Sequence, residues 1–359
     1  MIKVLVVDDS ALVRKLFGQV FSAEPDFEVE VARDGLDALA KLASFAPDVI
    51  TLDIHMPQMD GLACLDRIML ERPCPVVMVS SQTAEGADVT LEALRLGAVD
   101  FVAKPAGAVS MRIDALAPEL VAKVRAAAGA RLRSSLRLKE RVQHRIGGSP
   151  APRPQRPAAA PSRPSPVAAT GDGLVLVGTS TGGPPALEQL LTALPEGFPW
   201  PILVAQHMPA SFTGALARRL DKLCALSVTE VIRPTPLQPG FVYIGRGDAD
   251  LIVSRRPAGL TALAAPSGDY PWHPSTDRLV RSAMEHMPAA QLIGVLMTGM
   301  GNDGAEAMTR LRQAGGRTIA ESEETAVVWG MPGELVKAGG ADFVLPVHRI
   351  ADHLQKLAP

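Results

Sequence analysis

The sequence predicts an α/β protein built as two doubly wound domains, and three observations carry that expectation. A chain of 359 residues is long for one hydrophobic core, so more than one domain is the starting point. Short apolar, β-branched runs alternate with stretches of helical period, the pattern of parallel strands joined by right-handed crossovers. That alternation breaks once, from Gly147 to Gly173, in GGSPAPRPQRPAAAPSRPSPVAATGDG. Pro and Ala dominate there without apolar periodicity. The segment cannot bury enough surface to offset its chain entropy, and it reads as a linker.

In the first half, Ile2 to Val7, Phe27 to Val31, Val49 to Leu52, Val76 to Val79 and Phe101 to Val102 read as five strands of a parallel sheet. Ser10 to Phe21, Asp34 to Phe45 and Val89 to Leu96 are amphipathic helical stretches. A further charged helix is expected from about Asp114 towards His144. Beyond the linker, Leu174 to Val177, Ile202 to Ala205, Gln291 to Met297 and Arg317 to Ala320 read as strands, with helices such as Ala186 to Leu194 and Asp303 to Gln313. A meander from Val228 to Ala265, with QPG and PAG turns, reads as antiparallel edge strands, so the second sheet is expected to be larger and mixed. The expected boundaries are 1–122 for the first domain, 123–172 for a basic helical extension and linker, and 173–359 for the second domain.

Composition narrows the function classes. With 47% hydrophobic and 21% charged residues and a formal net charge of -2, nothing drives the whole chain towards nucleic acid or a membrane. The locally basic stretch from Lys123 to Arg145 reads as a solvated helical face rather than a nucleic-acid patch. Cys64, Cys74 and Cys224 are scattered and form no CxxC pair, so neither a zinc site nor a disulfide framework is suggested. A reducing compartment fits. The apolar run in MIKVLVVDDS is too short for a signal peptide, and no segment approaches the ~20 apolar residues of a membrane span. The expectation is a cytoplasmic protein with no membrane insertion and no nucleic-acid partner.

Three acids fall where strands of the first domain end: Asp8 and Asp9 after the first strand, Asp53 after the third. In a parallel sheet these carboxyl ends share one edge, beside the crevice where ligands bind. Three carboxylates crowded there repel one another, and a hard cation such as Mg²⁺ is the natural counter-ion. Ser80 ends the fourth strand and Lys104 follows the fifth, on the same edge. A hydroxyl and an ammonium facing a metal-bound carboxylate suit transfer of a phosphoryl group to that carboxylate. Any one of these residues is more often a cap or a solvated turn; five at matching strand ends are not.

VVDDS, the DIHMPQMDG run around Asp53, MVSS and FVAKP resemble the receiver domain of two-component response regulators. The resemblance implies Asp53 as the phosphoacceptor, Asp8 and Asp9 as metal acids with it, and Ser80 and Lys104 as switch and phosphate contacts. It also implies a cis Lys104-Pro105 peptide. His55 sits at a variable position and reads as surface.

In the second domain, LVLVG runs into GTSTGGPPALEQLL: a strand, a glycine-rich turn and a helix with prolines near its start. Gly178-Thr179-Ser180-Thr181-Gly182 fits a nucleophile elbow, with N-H groups of the following helix near an oxyanion. A glycine-rich turn of this kind more often cradles a phosphate, but neither a P-loop nor GxGxxG is present. A serine nucleophile needs a base, and the base an orienting acid. His207 directly follows the next strand, and Asp303 lies in TGMGNDG after a later one. Surface or capping roles are expected for His273, His286, His348 and His353. The order Ser, His, Asp differs from that of α/β-hydrolases, which argues against that fold.

GTSTGG, AQHM and TGMGNDG, with HPSTD around Ser275 and GMP at Gly330, resemble the catalytic domain of chemotaxis protein-glutamate methylesterases. The resemblance implies Ser180 as nucleophile, His207 as general base and Asp303 as its partner, with Thr181 and Met300 near the oxyanion site. His273 stands where Arg is common in the family and Glu321 where Gln is common. The implied activity is hydrolysis of glutamate methyl esters on cytoplasmic chemoreceptor helices, releasing methanol, with deamidation of receptor glutamines alongside. A chemotaxis histidine kinase is the implied phosphodonor. Mg²⁺ is expected for phosphorylation and no cofactor for ester hydrolysis. The competing expectations are a response regulator whose second domain only binds a partner, and a general carboxylesterase.

Overall fold

The computed structural model describes residues 1–104, 113–132, 173–257 and 259–358. The Lys104-Pro105 peptide and residues 133–172, which include the expected linker, lie outside the described residues.

The first half is a five-stranded parallel sheet in the order β2-β1-β3-β4-β5. Its strands are β1 (Ile2–Val7), β2 (Phe27–Ala32), β3 (Val49–Asp53), β4 (Val76–Ser80) and β5 (Asp100–Ala103). All agree with the sequence expectation to within a residue or so. Helices α1 (Ala11–Ser22), α2 (Gly35–Phe45), α3 (Gly61–Glu71), α4 (Ala84–Leu96) and α5 (Ile113–Ala128) connect and follow them. Ser10, Asp34, Asp60 and Thr83 each accept a bond from an N-H of the first turn of the helix they open, a cap contributing about 1 kcal/mol. Strand residues alternate between two packed faces. Val4, Val6, Val77 and Val79 meet Phe17, Phe21, Leu120 and Val124 of α1 and α5. Leu5, Val7, Leu52 and Met78 meet Leu42, Leu65 and Ile68 of α2 and α3.

Two expectations about α5 are corrected. The boundary between 122 and 123 falls inside this helix, whose Val124 and Ala127 are buried in the core of the first half. The helix also ends at Ala128 instead of continuing past Gly129. Nor is Lys123 on a solvated face. Its ammonium donates to Phe101 O at 2.7 Å and lies 3.6 Å from Asp100. Burial works against its charge, but Asp100 and Glu119 outweigh that and hold its pKa above the ordinary lysine value.

The second half has a seven-stranded sheet in the order β15-β14-β13-β6-β7-β10-β8. The strands are β6 (Leu174–Thr179), β7 (Ile202–Gln206), β8 (Ser227–Val231), β10 (Phe241–Gly245), β13 (Leu292–Leu296), β14 (Arg317–Glu321) and β15 (Phe343–Leu345). Every pairing in it is parallel, so it is not mixed. The antiparallel meander forms its own three-stranded sheet from β9 (Thr235–Pro236), β11 (Ala249–Arg256) and β12 (Gly259–Pro266). Turn residues alone do not reveal that β8 and β10 pair side by side in the same direction with β9 leaving between them.

Six helices flank this sheet: α6 (Gly183–Thr192), α7 (Ala210–Leu223), α8 (Thr276–His286), α9 (Ala305–Gln313), α10 (Met331–Lys337) and α11 (Val347–Leu357). Val175, Val177 and Val204 face Leu187, Leu190, Phe212 and Leu354 of α6, α7 and α11. Leu174, Leu176 and Leu296 face Leu279, Met308 and Leu335 of α8, α9 and α10. Burying a Leu or Phe side chain of this kind stabilises the fold by about 1.5–3 kcal/mol.

The halves meet through the β5 edge and α4 of the first and the β6–α6 turn and α7 of the second. Phe101 and Phe212 pack with ring centroids 4.4 Å apart, and Val327 joins the buried cluster around α1 and α5. Arg131 pairs with Glu323 at 2.8 Å, and Arg219 lies 3.7 Å from Glu92. Cys64, Cys74 and Cys224 are buried and free, and burial pushes each thiol up to about 12. Among the described residues, no helix is long and apolar enough to cross a membrane.

Candidate functional site

Both expected constellations assemble at carboxyl edges of their sheets, where loops leave parallel strands. On the first sheet, carboxylate oxygens of Asp8, Asp9 and Asp53 lie within 4.8 Å of one another. Lys104 reaches Asp53 Oδ1 at 2.9 Å and Asp8 Oδ2 at 3.0 Å. Burial, with Asp53 adding to it, pushes the Asp8 carboxyl above the ordinary value despite the opposing pull of Lys104. Lys104 itself loses hydration, yet the two carboxylates outweigh that loss and raise its pKa. Asp8 Oδ2 is buried without a well-formed hydrogen bond. Hard oxygen donors with more negative charge than one lysine balances fit a divalent cation such as Mg²⁺.

Ser80 stands at the end of β4 as expected, and its hydroxyl is engaged by α4. It bonds to Gly86 O at 3.2 Å and receives Thr90 Oγ1 at 2.7 Å, both in α4. His55 is exposed, as the sequence suggested.

On the second sheet, Ser180, His207 and Asp303 leave the adjacent strands β6, β7 and β13. His207 Nε2 lies 2.7 Å from Asp303 Oδ2. With Nε2 carrying the proton towards the carboxylate, Nδ1 holds the lone pair, and this buried nitrogen has no protein partner. Among the described residues the Ser180 hydroxyl also bonds to nothing. Asp303 additionally receives Ser275 Oγ at 3.0 Å, Thr276 N at 2.6 Å and Asp277 N at 3.0 Å. It therefore sits on the N-terminus of α8, where a negative charge is favoured. Burial opposes its ionisation, but His207 and these N-H groups hold the carboxyl below the usual range.

Ser180 is fixed through its backbone. Ser180 N donates to Thr298 O at 3.0 Å, and Gln206 Nε2 donates to Ser180 O at 3.0 Å. Thr298 Oγ1 donates to Thr181 O at 2.9 Å, and Thr298 N is held by buried Glu321 at 2.8 Å. Two glycines leave room for this turn. A Cβ on Gly299 would lie 2.7 Å from Ser180 Cβ, and one on Gly183 would lie 1.9 Å from Gln206 Oε1. The Ser180 N-H is thus already engaged. Among the described residues, the N-H groups of Thr181 and Met300 have no acceptor. Thr181 is buried and its hydroxyl donates to Asp100 of the first half.

Sequence patterns missed Gln206, Thr298, Asp250, Trp272 and Asp100. His273, expected at the surface or as a cap, instead bonds through Nδ1 to fully buried Asp250 at 2.8 Å. His348 is exposed and His286 half-buried. His353 packs on Phe343 with ring centroids 4.2 Å apart.

This geometry is accompanied by a clear relationship to known proteins. The family model described as CheB methylesterase matches residues 175–354. The chain belongs to that family. The model for the response regulator receiver domain matches residues 4–114. A protein-glutamate methylesterase/protein-glutamine glutaminase 2 of Rhodopseudomonas palustris (strain BisB18) is 59% identical over 355 residues, 98% of this chain and 96% of that protein. A protein-glutamate methylesterase/protein-glutamine glutaminase 3 of Rhodospirillum rubrum is 54% identical over 355 residues, 99% of this chain and 95% of that protein. The crystal structure of the Thermotoga maritima CheB methylesterase catalytic domain aligns with a TM-score of 0.50 and 38% identity, over 53% of this chain and 100% of that one. The two family models together span both sheets, the receiver model the first and the CheB methylesterase model the second.

Proposed function

We propose that the chain is a phosphorylation-activated protein-glutamate methylesterase of chemotaxis that also deamidates receptor glutamines. The observation that carries this reading is the His207-Asp303 bond, which leaves the buried Nδ1 of His207 without a protein partner at the sheet edge that also carries Ser180. Ser180 Oγ attacks the γ-ester carbonyl of a methylated chemoreceptor glutamate while His207 Nδ1 takes its proton. The N-H groups of Thr181 and Met300 receive the oxyanion. Collapse expels the methoxy group, which takes the proton from His207 and leaves as methanol. Water then gives a proton to His207 and attacks the acyl-enzyme, releasing glutamate and restoring the Ser180 hydroxyl. With a glutamine substrate the same acyl-enzyme forms and ammonia leaves.

In the receiver half, Asp53 is the phosphoacceptor, with a chemotaxis histidine kinase as donor. Asp8, Asp9 and Asp53 would hold Mg²⁺, which supplies charge neutralisation during phosphoryl transfer. Lys104 balances the phosphoryl charge, and Ser80 gives up its bonds to Gly86 and Thr90 to meet it. That exchange loosens α4, which packs on α7 of the catalytic half, so control of Ser180 runs through the contact between the halves. With α5 kept whole, the receiver extends to about Ala128, and residues 173–359 form the catalytic domain.

Methanol release from a methylated chemoreceptor, compared with hydrolysis of an aryl acetate, tests the reading. Receptor turnover that rises with acetyl phosphate and vanishes in Ser180→Ala is expected. Efficient aryl-ester hydrolysis without any receptor turnover would overturn it.

A further inference from the structure

We propose that Trp272 is a positioning residue for this hydrolysis, holding the face of the His207 ring while Asp303 holds its edge. The proposal rests on the reading of Ser180, His207 and Asp303 as the catalytic set. The indole of Trp272 lies within 5° of parallel to the His207 imidazole, with ring centroids 5.9 Å apart. An offset stack of this kind restricts rotation about the Cβ–Cγ bond. It also presents the negative face of an indole to a ring that becomes cationic when it takes the Ser180 proton. Among the described residues, Asp303 is the charged group that meets His207 directly.

The placement of the indole is built into the surroundings. Trp272 precedes His273 in the segment between β12 and α8, and buried Asp250 anchors that segment. Asp250 accepts His273 Nδ1 and Ser275 N at 2.8 Å each, Gly268 N at 3.1 Å and Arg278 Nη1 at 2.6 Å. On the other side the indole lies against Gly301, in the loop that carries Met300 and Asp303. Gly301 has a positive φ of 81°, and a Cβ there would fall 2.8 Å from Trp272 Cζ2. The same segment supplies Ser275 Oγ and Thr276 N to Asp303. One stretch of chain thus braces the acid of the pair and stacks on its base.

The test compares Trp272→Leu with Trp272→Phe in the full-length chain, using methanol release from methylated receptor at saturating acetyl phosphate. Leu fills apolar space without a π face, and Phe keeps one. The expected result is a kcat about tenfold lower for Trp272→Leu, with KM changed by less than about twofold and kcat within about threefold of wild type for Trp272→Phe. A Trp272→Leu enzyme with wild-type kcat overturns the proposal, as does a Trp272→Phe enzyme as slow as the Leu variant. If circular dichroism shows that Trp272→Leu does not fold, Trp272→Met takes its place with the same two outcomes. Ser180→Ala run in parallel separates the two readings. Methanol release that survives in Ser180→Ala sinks the catalytic assignment, whereas an unaffected Trp272 series sinks this inference alone.

Discussion

Asp100 of the receiver half accepts a hydrogen bond from the hydroxyl of Thr181, the residue that follows Ser180 in the chain. Both groups are buried. The other oxygen of Asp100 takes the Phe101 N-H at 2.8 Å and faces Lys123, so the carboxylate is fixed from both sides. A polar bond across a buried contact is costly to break without a replacement partner. It ties the turn that carries Ser180 directly to the strand that precedes Lys104.

Asp100→Ala is therefore expected to raise basal methanol release several-fold and to narrow the gap between resting and phosphodonor-treated enzyme. Basal and acetyl-phosphate-treated rates measured side by side check this. Unchanged rates in both states would show that the bond does not restrain the catalytic turn. Some stability, about 1–3 kcal/mol, should be lost as Lys123 keeps its charge without this partner.

Asp53→Asn should bring the ratio of phosphodonor-treated to resting activity down to about one. Chelation with EDTA should block phosphate incorporation by the wild-type chain in the same way, because Asp8, Asp9 and Asp53 then lack their counter-ion. On the proposed mechanism, ester hydrolysis by the resting enzyme should continue in EDTA. Radiolabelled phosphate incorporation and methanol release, read on the same samples, distinguish the two effects.

Asp303→Asn should lower kcat by about 10³- to 10⁴-fold, the scale seen when the orienting carboxylate of a serine triad becomes an amide. The expected cause is the wrong tautomer: an amide donating to Nε2 puts the proton on Nδ1, where the lone pair is needed. A kcat within tenfold of wild type would remove Asp303 from the mechanism.

Asp250 makes a prediction about acid stability. Burial alone would raise its carboxyl, but His273, the Ser275 N-H and Arg278 outweigh burial and hold it below the ordinary value. A lowered folded-state pKa means that the stabilisation is complete above the unfolded value of about 3.9 and is lost as pH falls through the lower, folded value. Asp250→Asn should therefore cost about 1–3 kcal/mol near neutrality and flatten the loss of stability below about pH 4. Urea midpoints measured from pH 2.5 to pH 7 check this. Parallel curves for the two proteins would exclude the role.

Much of this was legible in the sequence because it is written locally. Strands such as Ile2–Val7 are continuous apolar runs, and Ser180, His207 and Asp303 stand directly after such runs or within one loop of them, so a parallel sheet puts them on one edge. What was not legible depends on partners far apart in the chain. The bond between Asp100 and Thr181 joins residues 81 positions apart, and neither position has a period or motif of its own. The stack of Trp272 on His207 and the burial of Asp250 arise only once β11, α8 and the loop after β13 are packed. The orientation of Ser80 was likewise hidden, because a hydroxyl at a strand end can turn either to the acids or to α4.

The pairing of Nε2 with Asp303 has a mechanical consequence. Nδ1 is bonded to the ring carbon that joins the side chain, so it stands closer to the main chain than Nε2 does. Rotation about the Cβ–Cγ bond nevertheless swings Nδ1 through a wider arc than Nε2, so the bond from Nε2 to Asp303 acts as a clamp on its aim. The backbone of His207 is held as well, its N-H donating to Thr179 O at 3.0 Å. On the proposed reading of Ser180 and His207, the alignment of nucleophile and base depends on the register of β6 and β7, and a shift of β7 against β6 would detune the reaction before it unfolded the sheet.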